Sequence, residues 1–264
     1  MKIALVTGDH LRHKYLRKSL GDYYEVHWII EKREKFIPEP PKECNDHIKK
    51  LFNMHFDKRK NSEHKFFKEV QFKNLQNTYE LNGIDFNKNL FKIIDKIRPD
   101  VVISYGCNKI EDKVLNLVKY YCWNIHGGLS PWYRGTITHF WPSYFLEPQF
   151  TGMTLHNTTS KIDGGDIIHQ TCSALNIEDG IHDHACRNVQ LFCDDLLNII
   201  KKLLSLPKFE PLVQGTTGKI WTNSMWNPNH LKVIYDLFDD KINKYCIENN
   251  LIERKPKLLS LLKY

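Results

Sequence analysis

The 264-residue sequence lacks the long apolar segments that would place it in a membrane. None of its apolar runs approaches the ~20 residues that a membrane-spanning helix requires. The first residues, MKIALVTGDH, contain one Lys and a short apolar run that stops at Asp9. This pattern predicts a first strand rather than a signal peptide, and a cytoplasmic protein without a membrane partner.

The cysteines lack any pattern of paired or clustered spacing. There are seven of them, an odd number, and no two form a C-x-x-C pair. A disulfide framework and a structural zinc site both depend on such spacing. We therefore expect reduced thiols.

Several short catalytic and nucleotide-binding motifs are also missing. The sequence contains no P-loop and no G-x-S-x-G nucleophile elbow, and the segment TGDHLRHK at 7–14 is not a G-x-G-x-x-G fingerprint. This segment still precedes a predicted helix, where backbone N–H groups favour anions, and Arg12, His13 and Lys14 add positive charge. A phosphate site and an ordinary solvated first turn are both open interpretations.

The chain is basic, with 38 Lys and Arg against 31 Asp and Glu, a net charge of +7. An excess of positive charge favours an anionic ligand such as nucleic acid, a nucleotide or a polycarboxylate. Surface Lys residues that only keep the protein in solution are the alternative. The apolar fraction of 41% is typical of a globular protein.

Strand and helix patterns alternate from the start of the chain. They predict strands near 2–8, 24–30, 100–106 and 121–126, and helices near 11–20, 84–100, 111–121 and 179–206. One or two surface helices are expected within 43–80, a kinked helix near Pro142, and a helix at 229–249. The β-α-β opening predicts an α/β, Rossmann-like, mostly parallel sheet flanked by helices. We place a catalytic domain at 1–206 and a small strand-helix extension at 207–264.

The stretch WNIHGGLSPWYRGTITHFW at 123–141 is too polar for a plain core strand. Residues two apart on a strand share a face, so Asn124 and His126 point the same way at the end where open α/β sheets bind ligands. An amide donor beside an imidazole suits acyl transfer, with one group stabilising an oxyanion and the other moving a proton. A structural His is the alternative. We expect Gly127 and Gly128 to allow close approach of substrate.

Two further groups of polar residues follow this stretch. Asp163, in the turn KIDGGD, is placed to return to His126 and orient its ring. His156 and His169, on adjacent predicted strands, imitate a metal site, but their spacing matches no ligand pattern, so we expect no metal. His182, His184 and Cys186 stand two residues apart at a helix start, where they do not face one another, and we expect them to be exposed.

With these residues in place, the chain resembles the formyltetrahydrofolate-dependent formyltransferase family, over roughly residues 1–175. The motifs that carry the resemblance, in order, are Asn124-Ile-His126, Ser130-Pro131, Arg134-Gly135, Gly152-Met-Thr154-Leu-His156 and Asp163-Gly-Gly165. One departure is Gly127-Gly128, which stands where the family often has Pro-Ser. It changes the shape of the loop but removes no chemical role.

The resemblance implies a catalytic set of Asn124, His126 and Asp163, which would stabilise the oxyanion, manage the amine proton and orient the imidazole. It implies that N10-formyltetrahydrofolate is the co-substrate, held by Tyr105, Gly106, Asn108, Ile110, Lys161, Ile162 and Asp163. It also implies that the diphosphate of a nucleotide substrate meets some of Arg12, His13, Lys109 and Arg134.

Within this family, the chain is most similar to nucleotide-sugar N-formyltransferases. The segments HFDKRKNSEHKFF and RHKYL and the short stretch after residue 206 carry this similarity. It implies that the acceptor is the amino group of a dTDP-linked amino sugar, expected to be a 4-amino-4,6-dideoxyhexose, and that nucleic acid is not a partner. A methionyl-tRNA or small-nucleotide formyltransferase and a non-enzymatic nucleotide-binding module are the alternatives. A homodimer is expected to use Trp221, Trp226, Leu231 and Ile234, unless these side chains pack on their own chain.

Overall fold

A computed structural model of the protein describes residues 1–32, 38–68, 76–205, 210–214 and 219–260, without the side chains of 204 and 205. Its strands are β1 Lys2–Thr7, β2 Glu25–Lys32, β3 Thr78–Asn82, β4 Val101–Tyr105, β5 Tyr121–His126, β6 Arg134–Gly135, β7 Met153–Asn157, β8 Ile167–Thr171 and β9 Ile220–Trp221. Its helices are α1 Leu11–Gly21, α2 Asp46–Phe67, α3 Phe86–Ile97, α4 Asp112–Leu115, α5 Trp141–Tyr144, α6 Ile181–Ser205 and α7 Ile242–Glu248. Short 3₁₀ turns lie at Gly83–Asp85, Pro148–Phe150, Asn223–Met225 and Pro228–His230, and a π-helical turn at Val233–Leu237.

Seven strands form the main sheet, in the order β3-β2-β1-β4-β5-β7-β8. The pairs from β3 to β5 are parallel, whereas β7 runs antiparallel to both β5 and β8. The prediction of a mostly parallel α/β sheet flanked by helices is therefore confirmed. Parallel strands bring their carboxyl ends to one edge, which is where open α/β sheets bind ligands.

The two faces of the sheet are buried against different helices. Alternate residues such as Ile103, Trp123 and Ile125 pack in one cluster with α1 and α6, while Val102 packs in another cluster with α3. Since side chains alternate along a strand, Asn124 projects to the face opposite Trp123 and Ile125. This alternation fixes the direction of the polar residues at the end of β5.

The stretch after residue 206 packs on its own chain. Leu231 and Ile234 are fully buried, and the ring of Trp221 stacks on Trp141 at 4.7 Å between centroids. Trp226 contacts the rings of Phe52 and Phe140. Trp221, Leu231 and Ile234 are thus covered within their own chain, which favours the alternative to the expected dimer face, while Trp226 is half-buried and lines the cavity described below.

Two elements differ from the predictions in the first half of the chain. One or two surface helices were predicted within 43–80, and α2 is the one that the described residues contain. Residues 78–82 form strand β3 against β2 instead of a second helix. Residues 69–75 lie outside the described residues. The helix predicted at 111–121 ends at Leu115. The N–H groups of Lys119 and Tyr120 donate to the carbonyls of Pro99 and Asp100, which draws the chain into the sheet.

Two more elements differ in the second half. Pro142 lies in the first turn of α5, where its missing N–H costs no helical hydrogen bond, so it starts a short helix instead of kinking a longer one. The helix predicted at 229–249 is broken into three pieces. Asp239 and Asp240 have φ of 49° and 60°, and Asp240 accepts a hydrogen bond from the Ile181 N–H at the start of α6. A tertiary contact therefore overrides the helical pattern.

The domain boundary was predicted near residue 206, and residues 206–209 lie outside the described residues. The division into 1–206 and 207–264 stays a prediction. Among the described residues, no helix combines the length and apolarity needed to cross a bilayer.

Leu231→Ala should lower the free energy of unfolding by about 2–5 kcal/mol, since it empties a fully buried site. Leu237→Ala, six residues along and 71% exposed, is the matched control and should change it by less than about 0.5 kcal/mol. Urea unfolding of the two variants measures both. Equal small losses would show that the stretch after residue 206 does not pack on the rest of the chain.

Candidate active site

One large cavity opens at the carboxyl ends of the central strands. It has a volume of about 630 Å³ and is lined by the ends of β4 and β5, residues 106–110 and 158–163, and side chains from α2 and α6. This size lies within the range of pockets that hold small-molecule ligands. Asn124, His126 and Asp163 all line it.

Asn124 has a fixed orientation at the centre of the cavity. Its Oδ1 accepts a hydrogen bond from Ser104 Oγ at 2.8 Å. Its Nδ2 therefore points the other way, 3.1 Å from His156 Nε2 and 3.3 Å from Asp163 Oδ1. Ser104 lies directly beside Asn124 in the register of β4 and β5. The neighbouring strand thus sets which end of the amide faces the cavity.

His126 is buried, and both of its ring nitrogens face oxygen atoms. Nε2 lies 2.6 Å from the carbonyl of Tyr133, and Nδ1 lies 3.3 Å from Asp163 Oδ2. A carbonyl only accepts, so Nε2 carries a proton that it donates to Tyr133. In the neutral ring, Nδ1 then has a lone pair directed at the carboxylate.

The turn that carries Asp163 is held from several sides. Asp163 itself has φ of 41°, and its Oδ2 accepts a hydrogen bond from the Gly135 N–H at 2.8 Å. Gln214 Nε2 donates to the Asp163 carbonyl at 2.9 Å, and Arg134 Nε donates to the Ile162 carbonyl at 3.1 Å. The carboxylate is therefore presented to the cavity in one position.

Both members of this pair are in their deprotonated forms at neutral pH. Burial lowers the pKa of His126, against the opposing effect of Asp163, so the ring is neutral at pH 7. Burial alone would raise the pKa of Asp163, but His126, His156 and the Gly135 N–H together hold it well below its usual range. The site thus holds an ionised carboxylate and a neutral imidazole that face each other. A proton bound between Nδ1 and Oδ2 would contact both.

His156 is a member of this cluster that the sequence did not predict as functional. Its Nδ1 donates to the Asn157 carbonyl at 2.8 Å, so Nε2 accepts from Asn124 and lies 3.4 Å from Asp163 Oδ1. It stands directly opposite Asn124 in the antiparallel pairing of β5 and β7. The strand GMTLHNT could have indicated this contact, had its register against β5 been known.

The two loops predicted to hold the folate do line the cavity. Lys109 Nζ donates to the Ser160 carbonyl at 3.0 Å and joins one loop to the other. The cavity wall includes all the predicted positions, Tyr105, Gly106, Asn108, Ile110, Lys161, Ile162 and Asp163.

Of the predicted diphosphate contacts, Arg12 and Lys109 line the cavity, whereas His13 and Arg134 do not. His13 is fully buried, with its ring centroid 4.8 Å from that of Tyr105, so it has no surface with which to touch a ligand. Arg134 is buried against the Ile162 carbonyl. Both assignments are corrected: these side chains fix loops.

Two smaller expectations are also corrected. A Cβ on Gly128 would lie 2.4 Å from the Tyr133 carbonyl, so the chain's own packing, rather than an approaching substrate, excludes a larger residue there. His184 and Cys186 are buried instead of exposed, with His184 Nε2 3.3 Å from the Pro148 carbonyl, and His182 lines the cavity.

The histidines do not combine into a metal site. His169 lies away from His156, with its Nε2 2.9 Å from Asp195 Oδ2 and its Nδ1 2.7 Å from Ser260 Oγ. Within the described ranges, no group of three or more His, Cys, Asp or Glu is arranged to hold a metal ion.

Comparison with known proteins gives a family match. A family model described as formyl transferase matches residues 49–187, more than half of the chain. The bifunctional polymyxin resistance protein ArnA of Wigglesworthia glossinidia brevipalpis is 37% identical over 113 residues, which are 41% of this chain and 17% of that protein. Methionyl-tRNA formyltransferase of Buchnera aphidicola is 28% identical over 124 residues, 47% of this chain and 38% of that protein. The chain thus spans less than half the length of either relative.

Solved structures share the fold. The formyltransferase PseJ of Anoxybacillus kamchatkensis, solved with UDP-4,6-dideoxy-4-formamido-L-AltNAc and tetrahydrofolate, aligns with a TM-score of 0.51. The alignment covers 92% of this chain and 97% of that one, at 18% identity. At this identity, the likeness establishes the architecture alone.

Asp163→Asn should lower the free energy of unfolding at neutral pH. The folded-state pKa of Asp163 lies below its unfolded value of about 4, so its contribution to stability is complete above about pH 5 and is lost as the pH falls. Urea unfolding between about pH 3 and pH 7 should show the difference from wild type shrinking at acid pH. Asp57→Asn, at an exposed position, is the control. A difference that is constant with pH would contradict the assignment.

Proposed function

Because the chain belongs to the formyl transferase family, we propose that it transfers a formyl group from N10-formyltetrahydrofolate to the amino group of a dTDP-linked amino sugar. The expected acceptor is a 4-amino-4,6-dideoxyhexose. The observation that carries the proposal is the buried cluster of Asn124, His126 and Asp163 at the edge of a ligand-sized cavity.

Each member of the cluster suits one part of amide formation. Asn124 Nδ2 would donate to the formyl oxygen, which gains negative charge when the amine adds to the carbon. The neutral ring of His126 and the carboxylate of Asp163 would accept the proton that the amine loses, and a proton would pass to N10 of the folate as the bond between N10 and the formyl carbon breaks, which releases tetrahydrofolate. Ser104 fixes the orientation of the Asn124 amide, which directs its Nδ2 towards His156 and Asp163; one of these N–H groups would turn to the formyl oxygen.

The loops fit a folate co-substrate. Backbone from 106–110 and 158–163 lines the same cavity as the catalytic cluster, and a pterin ring needs fixed amide donors and acceptors along one edge. When bound, N10-formyltetrahydrofolate supplies the formyl group. The contact from Lys109 to the Ser160 carbonyl would keep the two loops at a constant separation around it.

The acceptor class is the least constrained part of the proposal. PseJ, which shares the fold, was solved with a nucleotide-linked 4-formamido sugar, and this supports an amino sugar. The similarity to methionyl-tRNA formyltransferase supports tRNA as the alternative acceptor. The intact catalytic cluster favours an enzyme over a nucleotide-binding module. The cytoplasmic location and the homodimer stay predictions.

Incubation with N10-formyltetrahydrofolate and a panel of dTDP-amino sugars tests the acceptor. We expect a mass gain of one formyl group on a 4-amino sugar, with a 3-amino sugar and initiator methionyl-tRNA as parallel arms. Formylation of the tRNA alone, weakened steeply by salt, would replace the sugar with the alternative. No formylation in any arm would contradict the transferase assignment.

Asn124→Ala should lower kcat by about 10²–10³, because it removes the donor to the oxyanion. KM should change far less, since the contact strengthens only in the transition state. Asn116→Ala, at an exposed position, is the matched control and should retain wild-type turnover. A loss of affinity at unchanged kcat would show that Asn124 binds substrate and does not stabilise charge.

A further inference from the structure

We infer that Arg12 and Arg59, joined by Glu63, bind a phosphate group of the acceptor substrate. Arg59 and Glu63 lie on α2, within the segment HFDKRKNSEHKFF, and no role was assigned to either side chain from the sequence. The inference rests on the proposed function, because it specifies where the nucleotide part of the acceptor would bind.

The three side chains form one connected group in the wall of the cavity. Arg12 Nη1 and Arg59 Nε both contact the same oxygen of Glu63, Oε1, the latter at 3.5 Å. The guanidinium of Arg12 lies 6.0 Å from the ring centre of Tyr105, at the end of β4. All four residues line the cavity, so the group is accessible to a ligand there.

This group carries unbalanced positive charge in a poorly hydrated place. Among the residues that the structure describes, Glu63 is the only carboxylate that pairs with either guanidinium. Its side chain is 7% exposed, and those of Arg12 and Arg59 are 18% and 34% exposed. Burial, followed by the charge of Arg12, lowers the pKa of Arg59. An anion bound between the two guanidiniums would relieve this repulsion.

The neighbouring titratable groups do not supply that anion. His55 and His182 flank the group from α2 and α6, and burial lowers the pKa of both, that of His55 to about 3. Neutral rings in these positions can form hydrogen bonds with a ligand but leave the charge of the arginines uncompensated.

The group lies on one face of the carboxyl edge of the sheet, beside Tyr105. Tyr105 belongs to the core cluster of α1 and α6, on one face of the sheet, and Arg12 and Arg59 approach it from that side. Asn124 projects to the opposite face, towards residues 158–163. At the carboxyl edge of the sheet, the catalytic cluster therefore lies on the face of residues 158–163, and the arginine group lies on the other face. This arrangement suits two co-substrates that meet at the strand ends.

The chemistry of the group favours phosphate. A guanidinium presents parallel N–H donors that match two phosphate oxygens, and two guanidiniums can bind one diphosphate from two directions. The glutamate tail of a folate is also anionic. It would, however, extend from the loops on the other face, where Lys109 and Lys161 line the cavity.

The test measures binding without turnover, by calorimetric titration with dTDP, UDP, inorganic pyrophosphate, thymidine and tetrahydrofolate. Arg59→Gln should weaken binding of dTDP or UDP about 10- to 100-fold, the effect of one charge-assisted hydrogen bond. Binding of pyrophosphate should weaken by a similar factor, whereas the affinities for thymidine and tetrahydrofolate should not change. Arg59→Lys keeps the positive charge but lacks the parallel N–H donors of a guanidinium, so it should weaken nucleotide binding less than Arg59→Gln does.

Arg98→Gln is the matched control, since Arg98 is exposed and pairs with Asp95 on α3. Unchanged tetrahydrofolate binding by Arg59→Gln also shows that the variant is folded. The inference is overturned if wild type binds neither nucleotide nor pyrophosphate at millimolar concentration, if both Gln variants lose affinity alike, or if Arg59→Gln weakens tetrahydrofolate instead.

These outcomes separate the inference from the proposed function. Formylation of an amino sugar together with unchanged dTDP binding in Arg59→Gln would leave the transferase intact and reject the phosphate site. Loss of dTDP binding in Arg59→Gln, with no formylation of any sugar by wild type, would keep the phosphate site and reject the sugar acceptor.

Discussion

The carboxylate of Asp163 is the group on which the arrangement of the site depends. Its Oδ2 accepts from the Gly135 N–H and faces His126, while its Oδ1 faces Asn124 and His156. These partners come from β5, β6 and β7, so one ionised group joins three separate elements. The carboxylate is half-buried, and its loss would leave the Gly135 N–H and an N–H of Asn124 without an acceptor.

The pleat of the strands divides the cavity wall between the two faces of the sheet. Residues at successive positions of β4 and β5 project to opposite faces, so Ser104 and Asn124 lie on one side, while Tyr105 packs with α1 and α6 on the other. One cavity is nevertheless lined by residues of both faces, Tyr105 on one and Asn124 and His126 on the other.

The sequence was sufficient wherever a role follows from local spacing. Asn124 and His126 share a face because they are two residues apart, and Asp163 returns to them because a hairpin turn joins β7 to β8. The helix α3 was predicted from its apolar spacing. Roles that depend on register or on packing between distant segments were missed, as with His156 opposite Asn124, Arg59 on α2, and the break at Asp240. The basic residues His13 and Arg134 illustrate the opposite error, because charge type alone does not show whether a side chain reaches solvent.

The burial of His13 and Arg134 shows that the net positive charge of the chain does not by itself locate a ligand. The net charge of +7 is a property of the whole surface, and most of it has no direct bearing on ligands. Four basic side chains, Arg12, Arg59, Lys109 and Lys161, line the cavity against two acidic ones, Glu63 and Asp163, so the described wall carries two net positive charges. A cavity concentrates such a field, because its low-dielectric walls screen charge less than water does. The positive charge that bears on a ligand is therefore that of the cavity wall at the strand ends, rather than that of the whole surface.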